Sequence, residues 1–211
     1  TIAPNKYDTL ALIHTGLTLC SVHKGSNFLG WHRVYLLLLE TALRQKDKSV
    51  VLPYWNSNIG KPNSTLPSPE IVDTIENDNS VFLVKDVIDW FGNADRKKNI
   101  EFQHNLPHDW VGGMMDLLPS APKDPAFFLH HAYVDYIWGK FRQKQQRLGE
   151  DPEYYPGLGD ISLNKYNLTL FHASHRQMDC FRWMNNIDGY SKNYTQYLYA
   201  YEDSPTYPNY A

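Results

Sequence analysis

The sequence predicts a mainly α-helical fold: an antiparallel four-helix bundle holding a dinuclear metal site, with long loops and little β-structure. Three observations predict it. Six of the nine histidines fall into two triplets, His14, His23, His32 and His104, His108, His131, each spaced to hold one ion. Four stretches carry helical periodicity or helical start and stop signals. The length of 211 residues fits a single domain over 1–211 that can bury a sizeable core.

The first helix is expected over residues 8–17 and carries His14. The second, over 31–45, places Val34, Leu37, Leu38 and Thr41 at i, i+3, i+4 and i+7, which makes a buried stripe. His32 would stand at its start, and His23 in the loop before it. The third begins near His104. His104 and His108 are at i and i+4, so both imidazoles leave one helix face. Pro107 between them is tolerated only in a first turn, where its missing N–H has no intrahelical partner, so His104 is expected at the very start. The fourth runs over 126–148. It enters after Asp124-Pro125 and stops at Gly149. Packed antiparallel to the third, it would lay His131 over the His104–His108 pair. Residues 56–80, rich in Asn, Pro and Ser, read as surface loop, with room for a short hairpin. The stretch 194–210 holds six tyrosines and reads as extended chain packed on the helices.

The formal charge of −3 and the lack of any long Lys/Arg block argue against nucleic acid or an anionic membrane surface as partners. The longest apolar run, Val34 to Leu39, is far too short to span a bilayer. The chain opens on Thr1 with no visible signal peptide, as a processed mature form or a trimmed chain would. Three N-x-S/T sequons, at Asn63, Asn167 and Asn193, point to the secretory pathway and to a secreted glycoprotein. The two cysteines, Cys20 and Cys180, are too few for a disulfide scaffold, so burial of apolar surface must hold the fold.

Imidazole is the commonest transition-metal ligand in proteins. Two all-imidazole sets without thiolate or carboxylate suit copper or zinc and argue against magnesium, calcium or an iron–sulfur cluster. Three ligands per ion leave positions open, which marks a catalytic or gas-binding centre over a structural one. His130, next to His131, is ambiguous by spacing alone, because one of the two faces the metal. His172 and His175 are read as surface residues or as residues standing behind the ligands.

Three stretches carry a resemblance. Phe28-Leu-Gly-Trp-His-Arg-Val-Tyr-Leu36, His104-Asn-Leu-Pro-His-Asp-Trp-Val-Gly-Gly-Met114 and Asp124-Pro-Ala-Phe-Phe-Leu-His-His-Ala-Tyr-Val-Asp135 resemble the two copper signatures of tyrosinases. That type-3 copper family also holds catechol oxidases and molluscan hemocyanins. The likeness spans roughly 7–142; the last third matches loosely, although Tyr199-Ala-Tyr201 is similar to the tyrosine motif that closes the family's catalytic domain.

The resemblance implies two copper ions, the first on His14, His23 and His32, the second on His104, His108 and His131, the second His of the His130-His131 pair being the family's ligand. It implies that Phe127 packs beside the metals and that Asp135 supports the fold near them. Asn105 matches the position linked to activating a water that deprotonates a phenol; its carboxylate partner is either Asp95 or Glu101. The implied activity is oxidation of o-diphenols to o-quinones with O2, with hydroxylation of monophenols. The substrates are small phenols, with phenolic or tyrosine-rich proteins as a further class. A hemocyanin-like O2-binding protein and a secreted matrix protein that keeps the fold are the alternatives. Cys20 stands one residue further from His23 than in the Cys-x-His thioether pattern of some relatives. It is therefore read as a disulfide partner of Cys180, a thioether to His23, or a buried thiol. The chain stops soon after Tyr201, so the C-terminal domain that caps many members is expected to be absent, leaving the copper site open.

Overall fold

A computed structural model describes residues 5–57, 83–92, 98–158, 160 and 168–203. Most of the loop expected over 56–80 lies outside them, as do Asn63, Asn167 and Asp95. The described chain is mainly helical. Its elements are α1 (Lys6–Ala11), α2 (Thr18–Val22), α3 (Asn27–Arg44), α4 (Val84–Ile88), α5 (Ile100–Val111) and α6 (Ala126–Arg147), with 3-10 turns at Ala121–Lys123, Leu168–His172 and Asn186–Tyr190. The strands β1 (Gln177–Met178) and β2 (Phe181–Asn185) form one antiparallel pair.

Among the described elements only α3, α5 and α6 are long, so they bear out the helical class without by themselves showing a four-helix bundle. The first expected helix is broken in two. Asn5 caps α1 by accepting from the Asp8 N–H at 2.8 Å. The chain then leaves helical geometry, and Gly16 takes a left-handed φ of 62° before α2 begins. His14 therefore sits in a turn and not on a helix.

Helix α3 starts four residues earlier than its apolar stripe predicts, and His32 lies well inside it. Every residue from Asn27 to Leu36 is buried, whereas Thr41 is exposed. The N-terminal half has neighbours on all sides, so no single stripe describes it. Helix α5 also begins early, at Ile100, where the Asn99 side chain accepts from the Phe102 N–H at 2.8 Å. Pro107 thus falls inside the helix instead of in its first turn. Helix α6 keeps the predicted span and ends before Gly149, whose φ is 84°.

Two apolar clusters flank the central helices. One joins Phe28, Ile88, Ile100, Val134, Trp138 and Tyr190; the other joins Trp31, Tyr35, Leu39, Phe127, Phe128 and Phe181. Buried aromatic hydroxyl and indole groups satisfy backbone carbonyls: Tyr190 donates to Ser26 at 2.6 Å, Tyr35 to Leu10 at 2.7 Å and the Trp31 indole to Asp179 at 2.9 Å. Behind the site, the buried Arg33 guanidinium donates to Asp135 at 2.8 Å and lies 4.0 Å over the Trp138 ring. The second Asp135 oxygen accepts from Tyr199 at 2.5 Å and Tyr201 at 2.9 Å. The described part of the tyrosine-rich segment, 194–203, is therefore a helical turn at Tyr194–Leu198 followed by the anchored Tyr199 and Tyr201; the rest lies outside the described residues. No disulfide forms between the cysteines. Both are free thiols, and Cys180 lies beside Thr18, at 3.5 Å.

Gly30 of α3 and Gly189 bring their backbones into close contact. A Cβ built on Gly189 would stand 2.6 Å from the Gly30 Cα. Substituting Gly189→Ala should therefore push the last third off α3. A loss of about 1–3 kcal/mol is expected, read as a lower Tm in thermal unfolding.

Candidate dinuclear metal centre

The first triplet is assembled from three pieces of chain. His14 comes from the α1–α2 turn, His23 caps the end of α2, and His32 projects from α3. All three are buried, and their ligand nitrogens lie within 4.8 Å of one another. The second is built on two helices: His104 and His108 from α5, one turn apart, and His130 and His131 from α6. Rings of the two sets meet directly. His32 stacks on His131 with centroids 4.3 Å apart and planes at 9°.

The hydrogen bonds decide which nitrogen each ring presents. His14 Nδ1 lies 3.1 Å from the Leu118 carbonyl, His23 Nδ1 3.2 Å from Leu19, His32 Nδ1 2.8 Å from Phe28, His104 Nδ1 3.1 Å from Glu101 and His108 Nδ1 2.8 Å from Met115. A carbonyl only accepts, so each Nδ1 carries the proton and each Nε2 is left with a bare lone pair. Those lone pairs converge. His14 and His32 bring their Nε2 atoms to 3.4 Å, and His104 and His131 bring theirs to 3.1 Å. His108 Nε2 is buried and has no partner. The lone pairs of His14 and His32, both carbonyl-tethered at Nδ1, face each other and repel unless a cation lies between them, so the donor set fits metal ions.

The pair on α6 divides its work. His130 donates from Nε2 to the His104 carbonyl at 2.9 Å, which leaves Nδ1 as its free nitrogen. That nitrogen groups with those of His104 and His108. His131 instead aims Nε2 at His104, in the same sense as the five carbonyl-tethered rings. Phe127 closes the space between the sets, its centroid 4.1 Å from His131 and 5.3 Å from His14. Asn105 is half-buried on α5, directly after His104.

Glu101 and His172 hold the loop after His23. Both carboxylate oxygens of Glu101 accept from the Lys24 N–H, at 2.8 and 2.7 Å, across 77 residues of sequence. Lys24 takes a left-handed φ of 61°, a strained choice for a side chain with a Cβ. Burial pushes the Glu101 carboxyl up to about 8, against the lowering effect of Lys24. His172 is not a surface residue. It is fully buried, its Nδ1 accepts from the Asn27 N–H at 3.2 Å, and its ring packs so closely on Gly25 that a Cβ there would stand 2.8 Å away. His175 is exposed, as expected. No spacing signal in the sequence pairs Glu101 with Lys24, or His172 with Gly25. Both are contacts between distant segments.

The histidines of the centre are held neutral by burial, which lowers His14 to about 4 and His130 to about 3 and drives His23, His32, His104 and His131 well below their ordinary value.

These features place the chain in a class. The family model for the common central domain of tyrosinase matches residues 4–81 and 62–144, and the chain belongs to that family of type-3 copper proteins. It is 35% identical to a tyrosinase-like protein of Pinctada maxima over 96% of this chain and 56% of that protein. It is also 28% identical to a tyrosinase of Streptomyces lincolnensis over 73% of this chain and 77% of that one. Hemocyanin 1 of Megathura crenulata is 26% identical over 78% of this chain, and only 6% of that protein is covered. The chain thus spans about half the length of its Pinctada relative. Among the described residues, no helix is long and apolar enough to cross a membrane.

Acid should destabilise the metal-free protein. An unfolded histidine binds a proton below about pH 6.5, whereas these buried ones resist it until far lower pH. The unfolded state then holds more protons, and stability falls as pH drops. For His14 the loss begins near 6.5 and continues to about 4. Each such histidine contributes up to ~1.4 kcal/mol per pH unit. Melting of chelator-treated protein at pH 7.5 and pH 5 should show a marked drop in Tm, which bound metal should reduce.

Proposed function

We propose that the chain is a secreted phenol oxidase that uses a copper pair and O2 to oxidise o-diphenols to o-quinones and to hydroxylate monophenols. The observation that carries this reading is the convergence of Nε2 atoms, those of the five carbonyl-tethered rings unprotonated, from two histidine sets whose rings touch across His32 and His131. His14, His23 and His32 would hold one ion, and His104, His108 and His131 the other. Copper held by these neutral imidazoles would supply the one-electron redox chemistry with O2.

The remaining work falls to the chain. Backbone carbonyls fix the tautomer and tilt of five rings, so no ligand needs to reorient during turnover. Phe127 and the buried aromatic wall keep bulk water from the reacting face. Asn105 stands beside His104, where a phenol entering the second site would lose its proton; Glu101, one turn earlier on α5, is the carboxylate that supports it. The exposed Asn193 fits a glycosylation acceptor in a secreted chain.

A hemocyanin-like O2 carrier is the second reading, supported by the likeness to Hemocyanin 1. A carrier would bind O2 reversibly without turning over catechol, so one o-diphenol assay on the copper-loaded chain separates the two.

Copper stoichiometry tests the ligand set. His131→Gln should drop bound copper from two ions towards one per chain. His130→Gln should keep two, because the His130 Nε2–H is engaged with the His104 carbonyl, whereas His131 turns its Nε2 to His104 as the tethered rings do. The reverse pattern, in protein shown to be folded by circular dichroism, would exchange their roles.

Asn105→Leu should lower monophenol turnover by ~10²-fold or more, the ordinary contribution of a positioned base. Catechol oxidation, which needs less help with deprotonation, should fall far less. Equal losses on the two substrates would remove Asn105 from that role.

A further inference from the structure

A line of rings runs from the second histidine set to solvent. His130 lies with its centroid 5.2 Å from that of His104, nearly parallel at 13°, and 5.1 Å from that of His108. Trp55 stands 6.2 Å from His130, and Trp110 stands 6.3 Å from Trp55. Trp55 is half-buried and pinned beside α6, its backbone N–H donating to the Leu129 carbonyl at 2.9 Å. Trp110 ends the line 53% exposed, two residues after His108 on α5. Indoles are among the few side chains that give up one electron readily and survive as radicals.

The other indole against the centre has no such outlet. Trp31 lies 5.7 Å from His14 and 5.1 Å from His32, but it is wholly buried. Its neighbour Tyr35 is buried too, with its hydroxyl bonded to Leu10. Between Trp31 and the exposed Trp183 stands Phe181, a ring that is hard to oxidise.

We propose that Trp55 and Trp110 are an electron relay that lets a reductant in solvent quench the centre when it has been oxidised with no phenol bound. The relay rests on the copper reading above. With copper bound and O2 as the final electron acceptor, the Trp55 indole would give up one electron towards the centre. Trp110 refills Trp55, so the electron hole moves to the exposed ring. The Trp110 N–H proton passes to water while that ring is a radical. A one-electron donor of the ene-diol or thiolate class then reduces Trp110, and the proton returns. Each pass oxidises one donor by one electron and reduces the centre by one. No carbon–oxygen bond forms on either tryptophan, and the ligand histidines are spared.

The test uses the copper-loaded chain and the variants Trp110→Phe, Trp55→Phe and Trp110→Tyr. Phenylalanine keeps an aromatic ring but cannot carry the hole; tyrosine can. Initial catechol rates, copper content and Tm should stay close to wild type in all three. Incubated with O2 and ascorbate but no phenol, both Phe variants should lose copper and activity several-fold faster than wild type. Trp110→Tyr should retain the protection. Peptide mass mapping of wild type incubated without ascorbate should find oxygen added at Trp110. In Trp110→Phe the added oxygen should move to Trp55 and the ligand histidines. Equal rates of loss in all four proteins, with an unchanged oxidation map, would overturn the relay. A Phe variant that fades faster only because its Tm has fallen would not be rescued by Trp110→Tyr with an oxidation map like wild type, and that pattern too counts against it. Failure of the phenol-oxidase reading shows separately, as copper-loaded wild type that turns over no catechol.

Discussion

The centre depends on one arrangement: imidazole rings tethered to backbone carbonyls through Nδ1, so that their Nε2 lone pairs all face inward. The folded chain must hold these lone pairs together against their own repulsion and keep the rings uncharged in a buried space. Neither condition is favourable by itself. Burial disfavours the imidazolium, and the carbonyl bonds keep the proton off Nε2 in the five tethered rings. What remains is a cavity of bare donors whose favourable partner is a soft or borderline cation. Stability and function are therefore coupled: the interactions that suit the site to metal make the metal-free protein sensitive to acid.

The tethers come from structures of different kinds. Phe28 and Leu19 offer carbonyls one turn before their own histidines, on α3 and α2, so those bonds are local. Leu118 and Met115 belong to the irregular stretch after α5 and reach His14 and His108. That stretch joins the first histidine set to the second, since it orients one ring of each. Glu101 makes a second junction by anchoring the Lys24 N–H. A buried carboxylate is costly to desolvate. Here it satisfies a strained loop N–H, within one turn of His104.

On the far side of α3 and α6 the Arg33–Asp135 pair has the corresponding structural role. It ties the two longest helices together one residue after His32 and four residues after His131. A buried ion pair is weak evidence for net stability but strong evidence for a fixed register, because either partner left alone would be an uncompensated charge. The pair is completed by Trp138 stacking and by the hydroxyls of Tyr199 and Tyr201. The last third of the chain, which matches the family only loosely, is thereby bound to the helices that carry the ligands.

The sequence by itself determined the chemistry. Histidine spacing and the residues around it gave six candidate ligands, the family, the helical class, the span of α6 and the place of Phe127. These are local facts: i and i+4 spacing, a Pro entry, a Gly stop and short motifs are written in neighbouring residues. The apolar stripe misplaced α3, because a helix surrounded on every side has no stripe to read. Pro107 misplaced the start of α5, because a proline can be held inside a helix by contacts that propensity does not include. Only the tertiary structure decided which nitrogen each imidazole turns inward, that His172 is buried under Gly25, that Glu101 serves Lys24, and that Cys20 and Cys180 do not meet. Each of these rests on groups brought together from distant parts of the chain, and the direction in which a side chain or carbonyl points is set by packing, which no spacing along the sequence encodes.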